Sequence, residues 1–141
     1  MHKVKFYFLD RKPVLKDRTR LKGFITALFN FEKPPLGSIS YIFCSDKHLL
    51  GMNNQFLNHD FYTDIITFDL SSNKDHVEGE VYISVDRIKE NAKTEGVSFN
   101  EELHRVIFHG ALHLCGYKDK KKAEKVIMSA MENKYLHAYF K

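Results

Sequence analysis

Val4 opens a short apolar run over residues 4–9 that predicts a strand. Ile39, Tyr41 and Phe43 alternate with Ser40 and Ile42 and predict a second strand, buried on one face. Between them Leu21, Phe24, Ile25 and Leu28 recur at helical spacing, which predicts an amphipathic helix over residues 17–30. Ser45 is placed to cap a helix carrying Leu49, Leu50, Met52 and Phe56. Two β-prone runs follow, residues 64–70 and 80–84, rich in branched and aromatic side chains and joined by a polar loop of hairpin character. Residues 86–95 read as a short helix stopped by Gly96. Ser98 and Glu101 have capping-box spacing for the next helix, whose apolar face runs Leu103, Val106, Ile107, Gly110 and Leu114 up to a stop at Gly116. Ala123, Val126, Ile127, Ala130 and Met131 mark the inward face of a final amphipathic helix. Pro34, Pro35 and Gly37 mark one loop, and residues 71–79 another.

Strands that come early and in a hairpin, with helices filling the rest, predict an α+β fold: a small mixed β-sheet packed with about five helices. With 141 residues, 43% of them hydrophobic, the chain reads as a single domain over residues 1–141 with a core that needs neither disulfide nor metal to form. No apolar run approaches the roughly 18 residues of a membrane span, and the amino-terminal apolar block is too short for a signal peptide. Two cysteines make no secreted disulfide framework, so the expected location is cytoplasmic. The net charge of +4 is modest, but it is unevenly spread. Arg11, Lys12, Lys16, Arg18, Arg20 and Lys22 form one cluster, and Lys118, Lys120, Lys121, Lys122 and Lys125 a second. Such clusters either solvate helix faces or, brought together, attract phosphates.

The informative stretch is His109-Gly-Ala-Leu-His113-Leu-Cys-Gly116-Tyr-Lys-Asp119. Residues four apart on a helix share a face, so His109 and His113 present two imidazoles one turn apart, a pairing that zinc accepts readily. Gly116 permits the positive φ that folds the chain back and brings Asp119 round as a third, oxygen ligand. Three protein ligands leave a position open for water, the arrangement of catalytic rather than structural zinc. The plainer alternatives are two hydrogen-bonded core histidines, and Asp119 as the N-cap of the final helix. Against the cap, Lys120, Lys121 and Lys122 would then sit in a first turn whose dipole disfavours cations. The same spacing occurs in metzincin proteases, but those place a glutamate directly after the first histidine, where this chain has Gly110.

With these residues the chain resembles the YbeY-type endoribonucleases, bacterial factors implicated in ribosomal RNA maturation. His109 to Tyr117, HGALHLCGY, matches the family signature His-Gly-x-Leu-His-Leu-x-Gly-Tyr. Asn53, Phe56, Asp60, Thr63, Asp64 and Phe68 fall in register with a second block, and residues 79–84 are similar to a third. The resemblance implies one zinc ion per chain in a cleft between sheet and helices, with a basic surface holding RNA and with the ribosome or ribosomal proteins as further partners. It also implies that Asp64, a candidate catalytic residue, and Glu80 line the cleft; the residues by themselves fit equally a strand-entry cap at Asp64, a solvated strand position at Glu80 and a turn hydroxyl at Thr63. Two departures stand out. The family's third metal-binding histidine falls at Asp119, and its arginine, a group suited to a transition-state phosphate, falls at Leu57. Lys118 or Lys120 is the expected replacement cation, Lys118 being the candidate catalytic one. His48, His59, His76 and His104 are read as surface or packing residues, and Cys115 as pointing away from the ion. The function expected is therefore a zinc-dependent endoribonuclease of ribosomal RNA processing. The alternatives are an RNA- or ribosome-binding assembly factor with a structural metal and, third, a metalloprotease.

Overall fold

The computed structural model describes residues 3–33, 35–73 and 75–141; the loop positions Pro34 and Lys74 and the amino-terminal Met1 and His2 lie outside the described residues. Among the described residues four strands and five helices follow in the order β1 (Val4–Phe8), α1 (Arg18–Glu32), β2 (Leu36–Cys44), α2 (Asp46–Leu57), β3 (Ile65–Asp69), β4 (Val77–Ser84), α3 (Val85–Glu95), α4 (Phe99–Leu114) and α5 (Lys122–Tyr139). The strands form one mixed sheet in the order β1-β2-β4-β3. β1, β2 and β4 run parallel, and β3 is the antiparallel edge, joined to β4 by the expected hairpin. The fold is α+β, with the His-x3-His stretch on a helix.

Period-two alternation assigns each strand residue to a side. Val81 and Ile83 of β4 face the main core with Ile25, Phe29, Leu103 and Ile107 from α1 and α4. The other side carries a smaller cluster of Cys44, Leu49 and Ile66 under α2, with Met52, Phe68 and Tyr82 packed against it. Serine caps start three helices: Ser45 Oγ accepts from His48 N (3.1 Å), Ser84 Oγ from Arg87 N (3.1 Å) and Ser98 Oγ from Glu101 N (3.0 Å). Gly96, at φ 68°, ends α3 as expected.

α4 is more central than its predicted stripe. Its buried positions run nearly all round, Glu102 and His104 included. It lies close on the hairpin because two glycines stand at the contact. A Cβ on Gly110 would fall 2.8 Å from Val81 Cγ1, and one on Gly79 would fall 2.7 Å from Leu114 Cδ1.

Two expectations are corrected. Gly37 is not in a loop but within β2, at a register irregularity between Leu36 and Ser38; a Cβ there would collide with the His76 ring, at 2.3 Å from Cδ2. The inward face of α5 is Met128, Glu132, Tyr135, Leu136 and Tyr139, whereas Val126 and Ile127 are 65% and 54% exposed. The helix turns this way because its polar Glu132 is needed against α4 and its tyrosines fill the gap beside α1. Tyr139 packs edge-on against Phe24 and Phe108.

Gly110→Ala should lower stability by about 1–2 kcal/mol, overpacking against Val81 outweighing the better helix propensity of alanine. Urea unfolding would read this, and the penalty should shrink in a Val81→Ala background; strict additivity of the two changes would contradict the contact.

Candidate metal centre

α4 delivers His109 and His113 side by side, ring centroids 4.6 Å apart and planes 78° to one another. The helix then ends in a tight turn: Gly116 adopts φ 107°, and Tyr117 N donates to Leu112 O at 3.1 Å. Tyr117 and Tyr135 both donate from their hydroxyls to Glu32 at the end of α1, which ties the returning segment down. On that segment Asp119 Oδ2 lies 3.2 Å from His109 Nε2 and 3.3 Å from His113 Nε2. All three residues offer one ligand atom within 4.8 Å of the others. Asp119 is not the cap of α5. That place belongs to Lys121, whose backbone N–H donates to Glu124 Oε1 at 2.9 Å, so the lysines precede the helix or only open it.

Behind His109 stands Glu132 of α5, with Oε2 2.5 Å from Nδ1. Its other oxygen accepts from Arg105 Nη1 at 3.0 Å, and Arg105 Nη2 donates to Asn133 Oδ1 at 2.9 Å. A carboxylate bound to arginine can only accept, so Nδ1 of His109 carries a hydrogen and donates it to Glu132, which turns Nε2 toward Asp119 and His113. Burial works against charge on His109, but the hydrogen bond to Glu132 and the carboxylates of Glu132, Asp119 and Asp64 outweigh it and hold its pKa above the ordinary value. Two imidazoles and a carboxylate, with one imidazole oriented from behind, fit a divalent transition metal.

The three donors open into a cleft of about 850 Å³ between β3 and α4. Asp64, just before β3, lines it; Asn91 Nδ2 donates to its Oδ2 at 3.2 Å, and burial pushes its pKa up despite the nearby His109. Thr63 lines it too and keeps its turn role, donating to Ile65 O at 3.3 Å. Lys120 is in the cleft wall, while Lys118 is exposed and outside the lining. Glu80 is on the opposite side of the sheet, where Tyr82 Oη donates to it at 3.2 Å: as a neighbour of Val81, which faces α4, it must point toward α2. His104 is a packing residue, with Nδ1 2.7 Å from Asn100 O and its ring stacked on Tyr139. Cys115 is partly buried, and its thiol is pushed up to about 12 by burial, so it offers no thiolate. His48 is exposed and His76 half-buried, whereas His59 is exposed on the cleft rim. The space at position 110 is taken by Val81, so the fold has no place there for a metalloprotease glutamate.

Sequence reasoning missed Glu132, Arg105 and Glu102. The signal for Glu132 was present: it interrupts the stripe Met128, Tyr135, Leu136, Tyr139 at a position that must be buried, and a buried carboxylate has a partner. Glu102 likewise sits on the buried side of α4, and burial, with Asp64, Glu132 and Glu95 nearby, raises its pKa to about 7 against the pull of Arg105.

The family model "Endoribonuclease YbeY" matches residues 12–140. The chain is 46% identical over 128 residues to the Endoribonuclease YbeY of Cytophaga hutchinsonii, which covers 91% of this chain and 90% of that one. It is 54% identical over 101 residues to the protein of the same name from Bacteroides thetaiotaomicron, covering 72% and 73%. A solution structure of a Thermotoga maritima protein superposes with a TM-score of 0.65 at 26% identity, covering 97% of this chain and 89% of that one.

Glu132→Gln should lower zinc affinity roughly 10- to 100-fold while the fold persists, read by competition with a chromophoric chelator; unchanged affinity would remove Glu132 from the site. Glu102 supplies a pH test. Its pKa rises from 4.5 to about 7 on folding, so the native state binds a proton that the unfolded chain does not, and stability falls as pH climbs through that window. Glu102→Gln should therefore raise Tm by several degrees at pH 8 (about 3–5 °C for each kcal/mol) and change it little at pH 4.5.

Proposed function

Because this chain belongs to the YbeY endoribonuclease family, we propose that it is a zinc-dependent endoribonuclease of ribosomal RNA maturation, with His109, His113 and Asp119 holding one zinc ion. The observation that carries the proposal is the convergence of these three donors on one cleft, with Glu132 fixing the tautomer of the first. Nitrogen and carboxylate ligands suit zinc, and three protein donors would leave a position for water or substrate, which favours a catalytic ion over a structural one. Zinc bound there supplies a Lewis acid toward a phosphodiester.

The chain's own residues do the rest. In this reading Asp64, which lines the cleft and whose pKa burial raises, accepts the proton of the attacking hydroxyl. Lys120 in the cleft wall, with Lys118 beside Asp119, takes the phosphate charge that the family's arginine would meet at Leu57. The lysines around the α4–α5 turn and the arginines and lysines before and within α1 draw RNA toward the cleft. Ribosomal RNA and the ribosome or ribosomal proteins are the partners this reading implies, and the cytoplasm its place of work. No helix among the described residues is long and apolar enough to cross a membrane.

The test is His113→Ala, with Asp119→Ala beside it. Both should keep the circular dichroism of the native chain, lose stoichiometric zinc by mass spectrometry, and cut ribosomal RNA at least ~100-fold more slowly. Cleavage that survives in protein shown to be metal-free would defeat the proposal. Zinc-loaded wild type that binds ribosomal RNA without cutting it would make the chain an assembly factor instead.

A further inference from the structure

The segment from the end of α2 to β3 carries a band of exposed aromatic surface. Phe56, Phe61 and Tyr62 are 59%, 56% and 54% exposed, and Leu57 beside them 42%. The backbone under these rings is pinned. Asn58 ends α2 in the left-handed region at φ 55°, and His59 N donates to Asn53 O at 3.1 Å. The Asn53 side chain, buried at 2% exposure, donates from Nδ2 to Phe61 O at 2.8 Å. Held at both ends by one residue, the turn sets the His59 and Phe61 rings in a stack, centroids 5.0 Å apart and planes 22° from parallel. Both residues line the cleft that contains His109, His113 and Asp119, and Lys120 lines it too.

Aromatic faces held rigidly in water, on the rim of a polar cleft, are the surface on which flat ligands stack. We infer that the His59–Phe61 stack is a nucleobase platform, which takes one unpaired base of the RNA beside the phosphodiester presented to His109, His113 and Asp119. The inference rests on the endoribonuclease reading and adds to it a determinant of substrate choice. Every base offers a π-face, so the platform is indifferent to sequence. A base paired and stacked within a duplex has no face to offer, so the platform discriminates by strandedness. The cations nearby attract the backbone of either form; the rings decide which form seats.

The test uses zinc-loaded full-length protein and a short single-stranded RNA carrying 2-aminopurine at each position in turn. Stacking quenches that fluorophore, so at least one position should be quenched on binding. Phe61→Ala should abolish the quenching and weaken single-strand affinity roughly tenfold. Affinity for a duplex of the same sequence should not move, and Phe61→Tyr should restore both readings. The Asn53 bond goes to the Phe61 backbone and survives these changes; should Phe61→Ala nevertheless fail to fold, His59→Ala is read in its place. Equal losses for single strand and duplex, or no loss, overturn the platform, and no loss would mark the rings as a protein-docking surface instead. The two readings separate cleanly. Cleavage by the wild type with an unaltered KM in Phe61→Ala removes the platform and leaves the endoribonuclease. Quenched, tight binding without cleavage does the reverse.

Discussion

The seat of α4 on the β3–β4 hairpin is the constraint from which the rest follows. It is a contact of glycine against side chain, made twice: Gly110 of the helix against Val81 of the sheet, and Gly79 of the sheet against Leu114 of the helix. Each missing Cβ removes a collision, so the helix axis lies nearer the strands than ordinary side chains would allow. That nearness leaves His109 and His113 on the flank of the contact, facing the edge strand. The cleft is the space between β3, with the residues that lead into it, and the flank of α4, and its polar lining is what the helix does not bury against the sheet.

On this frame the charges are arranged in a line. Arg105 holds Glu132, Glu132 holds His109, and His109 faces Asp119 together with His113. Negative groups outnumber positive ones deep in the cleft, with Asp64 and Glu102 joining Glu132 and Asp119. Burial pushes the pKa of two of them, Asp64 and Glu102, upward, and four carboxylates gathered in one cleft favour a cation among them. The rim has the opposite sign, through the lysines around the turn. An anionic strand is thus drawn by the rim and met at depth by whatever positive charge the donors hold.

Much of this was legible in the sequence, and the failures have identifiable physics. The order and type of the elements follow from local periodicity and capping chemistry, which act over a few residues. The His109, His113 and Asp119 set was legible because it needs only one helix turn and one glycine. Glu80 was misplaced because alternation says that neighbours point to opposite sides but not which side α4 will choose. The face of α5 was misread for a related reason. Val126 and Ile127 are the better hydrophobes, yet the helix rotates to bury Glu132, Tyr135 and Tyr139, since the charged hydrogen bond of Glu132 to His109, the Tyr135 hydroxyl on Glu32 and the packing of the two rings outweigh two exposed aliphatic groups. Such partners lie in other parts of the chain, and no window of the sequence contains both ends of the bond.

That division of the site along the chain has a bearing on how it is born. Both histidines belong to α4, while Asp119 and Glu132 lie beyond the turn at Gly116, in the turn segment and α5. A ribosome reading from the amino terminus therefore releases the imidazole pair first, with nothing to orient His109 and no carboxylate to complete the set. The half-made protein can hold a metal only weakly. The orientation of His109 and the third donor thus both depend on the last quarter of the chain, and a chain cut after α4 has the imidazole pair without the carboxylates that face it.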